Sequence, residues 1–489
     1  MRLHISYFIG MALIAEATCS AAHGNQAKDW AAVLRNDAQA FHDLVQENHP
    51  GPANTLDPGF SARNDRGLAR ARNRASKVHD YAGYYWAMRE YAASFDDGHV
   101  AYVPAQSAPA IPSRWAGIMT GYDGRGRQVI RVSADAARVP LGAELISCDG
   151  ITAEKLALRN LAPFRGRWFL AADRLSAAPM LLVDSGNPFI SQPSRCRFSM
   201  NGRPIDTSLE WRAISSKELA DYRKTAAASS TDQEIGVREL TDGTQWYAFP
   251  TFYGDANKAT EAALSSLISD MNRDRAALAA APRIVFDLRG NGGGSGIWAQ
   301  RIAAAIWGQD VVDALPPESV GVDWRVSPAN IAILEGDLGR IPTSADTLDR
   351  RGRLEQRIAS MKKALASGQK LLREANDRQP IKAVAPPRRS KPVYVLTDAA
   401  CASACLDAVD LWKRLGAVQV GQETNADTLY MELRDDALPS GLATVYMPMK
   451  VWRGRPRGSN VPAIPKYRFK GDMRDTAALQ AWTATLPSK

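Results

Sequence analysis

Apolar residues recur at helical spacing from Asp29 to Asn48, at Trp30, Val33, Leu34, Phe41, Leu44 and Val45. That spacing predicts an amphipathic helix, which Pro50 ends. A second helical stretch, Val78 to Ser94, is rich in aromatics and runs into Phe95-Asp-Asp-Gly-His-Val-Ala-Tyr-Val103. There the Asp97-Gly98 turn and the alternating apolar residues after it predict the start of a strand. Residues 28–107 thus form a mainly helical N-terminal region. Residues 108–214 change texture. Gln128–Val132 and Gly142–Gly150 read as strands, Thr152–Leu158 as a short helix, and Cys196–Met200 with Thr207–Trp211 as a hairpin about Asn201-Gly202. This is a small β module.

From Glu239 the period alternates between strand and helix. Strands are predicted at Trp246–Pro250, Ile284–Leu288, Val393–Leu396, Ala417–Gly421 and Ala443–Met449. Helices are predicted at Lys258–Ala281, Ile297–Trp307 and Leu406–Leu415. Such alternation predicts an α/β sheet with covering helices, built from residues 232–312 and 390–465. Residues 313–389 interrupt it with a charged amphipathic helix (Leu354, Ile358, Met361, Leu365) and a basic exit, Ala385-Pro-Pro-Arg-Arg389. They read as a surface excursion, a lid being one use for it. Residues 466–489 read as a C-terminal tail.

Length and composition fit a globular protein of two or three domains. The net charge of +9 is mostly scattered arginine, with no interleaving of basic and aromatic residues, so no nucleic-acid partner is expected. Arg2 and His4 precede an apolar run, Ile5 to Ala15, too short to span a bilayer, and small residues follow. The expectation is a signal peptide cleaved near Ala22, no membrane span, and a periplasmic or secreted protein. Glu16 stands against a lipid anchor on Cys19. Four cysteines then remain in an oxidising compartment. Local pairing gives Cys148–Cys196 and Cys401–Cys405, with four buried thiols as the alternative. No cysteine/histidine cluster has zinc-ligand spacing, so neither metal nor cofactor is expected.

The chemistry concentrates at two turns. Strand Pro392–Asp398 leads through Cys401-Ala-Ser-Ala-Cys405 into a helix, which exposes Ser403 at a helix N-terminus. The Ala404 N–H there is a candidate oxyanion donor. Strand Arg283–Leu288 leads into Gly290-Asn-Gly-Gly-Gly-Ser295, a turn whose backbone N–H groups can approach a substrate closely; Gly293 is the candidate second donor. That turn fits neither Gly-x-Gly-x-x-Gly nor a Walker loop. An isolated serine at such a place is a helix cap, and an isolated histidine such as His99 a structural one.

Taken together and in order, these elements resemble one superfamily. They are Asp96-Asp-Gly-His99, Asp287-Leu-Arg-Gly-Asn-Gly-Gly-Gly294, Val395-Leu-Thr-Asp398 with Ser403-Ala404, and Gly421-x-x-Thr424. The superfamily is that of the tail-specific (C-terminal-processing) and tricorn-core serine peptidases, and the resemblance spans roughly residues 28–465 without the insertion. It implies an α/β core of ClpP/crotonase type, with an N-terminal helical region and an inserted PDZ-like β module. That module would bind an extended peptide by strand addition, with Ala116-Gly-Ile118 as its candidate carboxylate loop. Tail-specific members activate the serine with a lysine, but Asp427 falls where that lysine would stand. The implied base is therefore the histidine of the tricorn type, His99, acting on Ser403. Where that type has a late glutamate to orient the histidine, this chain has Ser459; Asp97, Asp96 and Asn460 are the candidate substitutes.

The expected activity is hydrolysis of peptides or unfolded proteins through a Ser403 acyl-enzyme. The rival is a catalytically inactive peptide-binding scaffold on the same fold. Acyl transfer or thioester chemistry on a crotonase-like core is a third, weaker alternative. Ser360-Met-Lys-Lys363 and Ser367-Gly-Gln-Lys370 match the Ser-x-x-Lys pattern of penicillin-binding proteins, but they lie in or beside the charged helix with no Lys-Thr-Gly partner, and read as a solvated face.

Overall fold

The computed structural model describes residues 28–123, 126–227, 233–254, 257–343, 347–376 and 391–487. The expected signal segment and the basic exit at 385–389 lie outside the described residues. Among the described residues, no helix is long and apolar enough to cross a membrane.

The α/β core is a six-stranded sheet in the order Gly236–Glu239, Gln245–Ala248, Ile284–Asp287, Val393–Thr397, Val418–Gly421, Tyr467–Arg468. The first pair is antiparallel and the rest parallel. Both central strands are buried along their whole length, as parallel strands covered on both faces must be. Their period-2 alternation divides them between two apolar clusters. Ile284, Phe286, Val393 and Val395 pack under helices Lys258–Arg273, Ile297–Trp307 and Ala404–Arg414. Val285, Tyr394 and Leu396 pack on the other face with Met473, Leu479 and Leu486.

Residues 466–487, within the expected C-terminal tail of 466–489, are therefore packed on the core. Strand Tyr467–Arg468 and helix Thr476–Ala484 close the second face, and Arg289 donates to the Met473 carbonyl at 2.6 Å. The sequence hid this because the closing strand is only two residues long.

A second sheet is antiparallel, in the order Ala101–Pro104, Ala443–Arg453, Gly321–Arg325, Leu371–Ala375, with Tyr430–Ala437 also pairing Ala443–Arg453. The N-terminal helices Trp30–Asn48, Phe60–Arg74 and Tyr81–Ala93 cover one face through Leu34, Phe41, Tyr84 and Met88 against Val445 and Met447. On the other face Trp324 and Met449 meet Leu334, Leu354, Ile358 and Met361 from helices Pro328–Arg340 and Leu348–Ala366. The described part of residues 313–389, expected as a surface excursion, thus supplies two strands and an apolar layer of this sheet. Leu354, Ile358 and Met361 face inward as expected, whereas Leu365 is exposed.

The β module pairs Ile118–Tyr122, Gln128–Ser133, Glu144–Cys148, Arg195–Met200 and Arg203–Ser208 in that order, with a turn at Asn201-Gly202. Cys148 and Cys196 are direct cross-strand partners and are disulfide-bonded. The Ala116 N–H, in the candidate carboxylate loop, already donates to the Leu182 carbonyl.

Beside the glycine turn, Asp287 and Arg289 form an ion pair with neither side chain exposed, and Asp287 also accepts from the Trp246 indole. Removing one partner strands the other charge in the core. Arg289→Ala should cost about 3–5 kcal/mol in urea unfolding of the whole chain; a loss below about 1 kcal/mol would show that the pair is not what fixes this turn.

Candidate active site

The two central strands are in parallel register, Asp287 opposite Leu396, so both chain turns emerge side by side. The Asp398 carboxylate joins them by accepting the N–H of Gly290 at 3.1 Å and of Ala400 at 3.0 Å. Burial, helped by the Asp287 charge, pushes the Asp398 carboxyl up to about 6, although the two backbone donors oppose the rise.

Ser403 follows with φ 53° and ψ −126°, a conformation that L-residues rarely adopt. Its side chain makes no capping bond, so the reading as a simple helix cap fails. The hydroxyl is left available at the turn, and the Ala404 N–H opens the helix without an intrahelical acceptor. The turn is held on every side. The Ala402 N–H donates to the Asn291 carbonyl, Asn425 N–H donates to the Cys401 carbonyl, and Cys401 and Cys405 are disulfide-bonded with Cα atoms 5.3 Å apart. A Cβ on Gly293 would lie 2.7 Å from Ser403 Cβ and 3.0 Å from the Ala404 nitrogen. With its φ of 103° that position requires glycine. The glycine turn and the serine turn are therefore in contact, as expected. The Gly293 N–H itself, however, donates to Asn291 Oδ1 at 2.8 Å and is not free in this arrangement.

His99 enters from the second sheet, just before strand Ala101–Pro104. Its ring is 12% exposed, and Nδ1 is buried, 3.6 Å from Asp97 Oδ1 and without a hydrogen bond. Asp97 is buried and anchored: Oδ1 accepts the His99 N–H and Oδ2 accepts the Thr428 hydroxyl, each at 2.8 Å. Burial raises its carboxyl above the ordinary range, against the pull of His99 and Arg167. Of the three candidate orienting residues, Asp97 is the one in ion-pair reach of the ring among the described residues. Asp96 Oδ1 instead accepts the Arg167 N–H, and Asn460 Nδ2 donates to the Asp96 carbonyl. No hydrogen bond joins Ser403 and His99 among the described residues; in unliganded enzymes such bonds are often long and tighten only with substrate.

Sequence reasoning missed the connecting segment. Asp427 Oδ2 accepts the Ser403 N–H at 2.8 Å, and Thr428, the next residue, holds Asp97. A cavity of about 430 Å³ opens beside this segment, floored by Asp97 and Thr428 and rimmed by the exposed Leu56 and Phe169. Among the described residues, no group of three His, Cys, Asp or Glu side chains is placed to hold a metal.

The fold is shared with that of mature CPAF. Mature CPAF matches over 90% of this chain and 93% of its own, with a TM-score of 0.62 and 14% identity. Mature CPAF complexed with lactacystin matches over 94% and 98%, with a TM-score of 0.61 and 14% identity. A looser match, at a TM-score of 0.31 and 13% identity over 90% and 93%, is the photosystem II D1 C-terminal processing protease. No family model and no curated protein matches the chain.

Two outcomes follow from this geometry. Ser403→Gly relieves the backbone where Ser403→Ala does not, so the glycine variant should be the more stable of the two by about 1 kcal/mol in urea unfolding; equal stabilities would mean that the turn is unstrained. Asp398 binds its proton more tightly folded than unfolded, so its contribution is full below about pH 4 and is lost as pH rises through about 6. Asp398→Asn cannot ionise. Its stability relative to wild type should therefore rise between pH 4 and 7, by on the order of 3 kcal/mol, and a flat difference would remove the buried-carboxyl account.

Proposed function

We propose that the chain is an exported serine peptidase that hydrolyses peptide bonds of peptides or unfolded proteins. The observation that carries this reading is Ser403 itself: a serine at positive φ on a strand-to-helix turn, not capping its helix, with Gly293 packed against it. Ser403 Oγ attacks the scissile carbonyl while His99 takes its proton, then returns it to the leaving amine. Buried Asp97, 3.6 Å from Nδ1, orients the imidazole. The Ala404 N–H stabilises the oxyanion, and Gly293 adds a second donor once its N–H turns away from Asn291. Water then resolves the acyl-enzyme. No cofactor enters these steps.

Two bonded cysteine pairs support export to an oxidising compartment. The PDZ-like reading of residues 108–214 adds peptide recognition, although its candidate carboxylate loop has the Ala116 N–H already engaged. A second reading, an inactive peptide-binding scaffold, is favoured by that engaged Gly293 N–H and by Ser459 standing where the superfamily's glutamate would be.

The test is mass spectrometry of an unfolded-protein digest by the mature protein. Wild type should cut, and Ser403→Ala and His99→Ala should each lower the rate by about a thousandfold or more. Cutting that survives His99→Ala demands another base. A wild type that binds peptides yet cuts nothing makes the scaffold reading the better one.

A further inference from the structure

We infer that Asp427 is the positioning residue that fixes the proposed nucleophile and couples it to the loop carrying the proposed base. The inference rests on the serine-peptidase reading for its catalytic consequence, and on the hydrogen bonds around Asp427 for the rest. Asp427 is buried, and its carboxylate accepts the backbone N–H of Ser403, not the hydroxyl. It therefore acts on the conformation of the turn and takes no proton from the reacting oxygen. The same bond occupies the Ser403 N–H, so the proposed oxyanion donor is the Ala404 N–H.

The segment around Asp427 reaches the histidine loop by three routes. Thr428 donates its hydroxyl to Asp97 Oδ2. The Asp427 carbonyl accepts the Asn460 N–H at 2.7 Å, and the Asn460 amide donates to the Asp96 carbonyl at 2.9 Å. The Ala426 carbonyl accepts from the Arg167 guanidinium, and the Arg167 backbone N–H donates to Asp96 Oδ1. A residue at position 427 that lets go of Ser403 would thus free the turn from the element that sets the histidine's place. An aspartate is short enough to reach a backbone N–H in the next turn, and its charge strengthens the bond.

Three forms of the mature protein decide this: wild type, Asp427→Ala and Asp427→Asn. Each is measured by the rate of labelling with a fluorophosphonate, by kcat and KM on a peptide that wild type cuts, and by amide exchange at Ser403. In Asp427→Ala, labelling and kcat should fall about 30-fold with KM changed less than about twofold. The Ser403 amide should exchange faster by a similar factor. Asparagine keeps an acceptor oxygen, so Asp427→Asn should recover all but about threefold of the labelling rate and restore amide protection. A general loss of packing would move KM and would not be rescued by asparagine. If Asp427→Ala does not fold, Asp427→Ser carries the same comparison. Unchanged exchange at Ser403 in the variant lacking the carboxylate overturns the inference. A wild type that neither labels nor cuts overturns the peptidase reading, and amide exchange then still decides whether Asp427 holds the turn.

Discussion

The backbone of Ser403 is the constraint around which this molecule is arranged. A non-glycine residue at φ 53° and ψ −126° costs about 1–3 kcal/mol, and persists only where its surroundings over-determine it. A hydrogen bond to a charged acceptor is worth about 1.5–3 kcal/mol, so the Asp427 carboxylate on the Ser403 N–H is of the size needed to offset that cost. The remaining restraints act on the chain either side of it. Asn291 and Asn425 hold residues 401 and 402, and Asp398 ties the serine turn to the glycine turn. The disulfide closes the loop that has Ser403 inside it. Strain of this size is tolerated in a parallel α/β core because both strands feeding the turns are buried on both faces and cannot shift to relieve it.

Ser403 and His99 belong to different sheets. Ser403 ends a strand of the parallel core, whereas His99 precedes the edge strand Ala101–Pro104 of the antiparallel sheet. Their separation is therefore set by whatever joins the two sheets. One of the chain's crossings between them runs from strand Val418–Gly421 to strand Tyr430–Ala437, which is where Asn425, Ala426, Asp427 and Thr428 lie. Each of these four makes a bond to the serine turn, to the histidine loop, or to Arg167 behind it. The crossing loop is thus short of freedom at the place where a connection would ordinarily be mobile.

The core strands and helices were legible because their periodicity is strong and local: Ile297–Trp307 is a helix over the predicted residues, and Ile284–Asp287 and Val393–Thr397 are the predicted strands to within a residue. Both cysteine pairs follow from proximity. Helix Phe60–Arg74 escaped notice because its inward face carries Asn64 and Gly67 beside Phe60 and Leu68. Asn64 accepts from the Tyr91 hydroxyl, and Gly67 makes room for the Tyr91 ring, relations visible only once the helices pack. The strands Gly321–Arg325 and Leu371–Ala375 were masked by their charges. Asp323 is paired with Arg453 and Arg373, and neither partner is near it in sequence. At the candidate site the residue types that would react stand out in sequence, but the bonds made by Asp427, Thr428 and Asn291 depend on long-range contacts that no spacing encodes.

Position 427 also bears on the kind of base the chain can use. A lysine acting as base must be neutral, which requires burial without an anion at its head. Here the corresponding place holds a buried carboxylate whose oxygen is already satisfied by a peptide N–H. In the proposed acyl transfer, an anion there would favour a developing positive charge on the base and oppose a negative oxygen on the substrate. The balance is tolerable where the oxyanion has donors of its own, and the proposed donor is the Ala404 N–H at the start of helix Ala404–Arg414. The Asp427 carboxylate binds the N–H of Ser403 and not that of Ala404. A carboxylate at 427 thus fits the proposed histidine base and would not suit a lysine in its place.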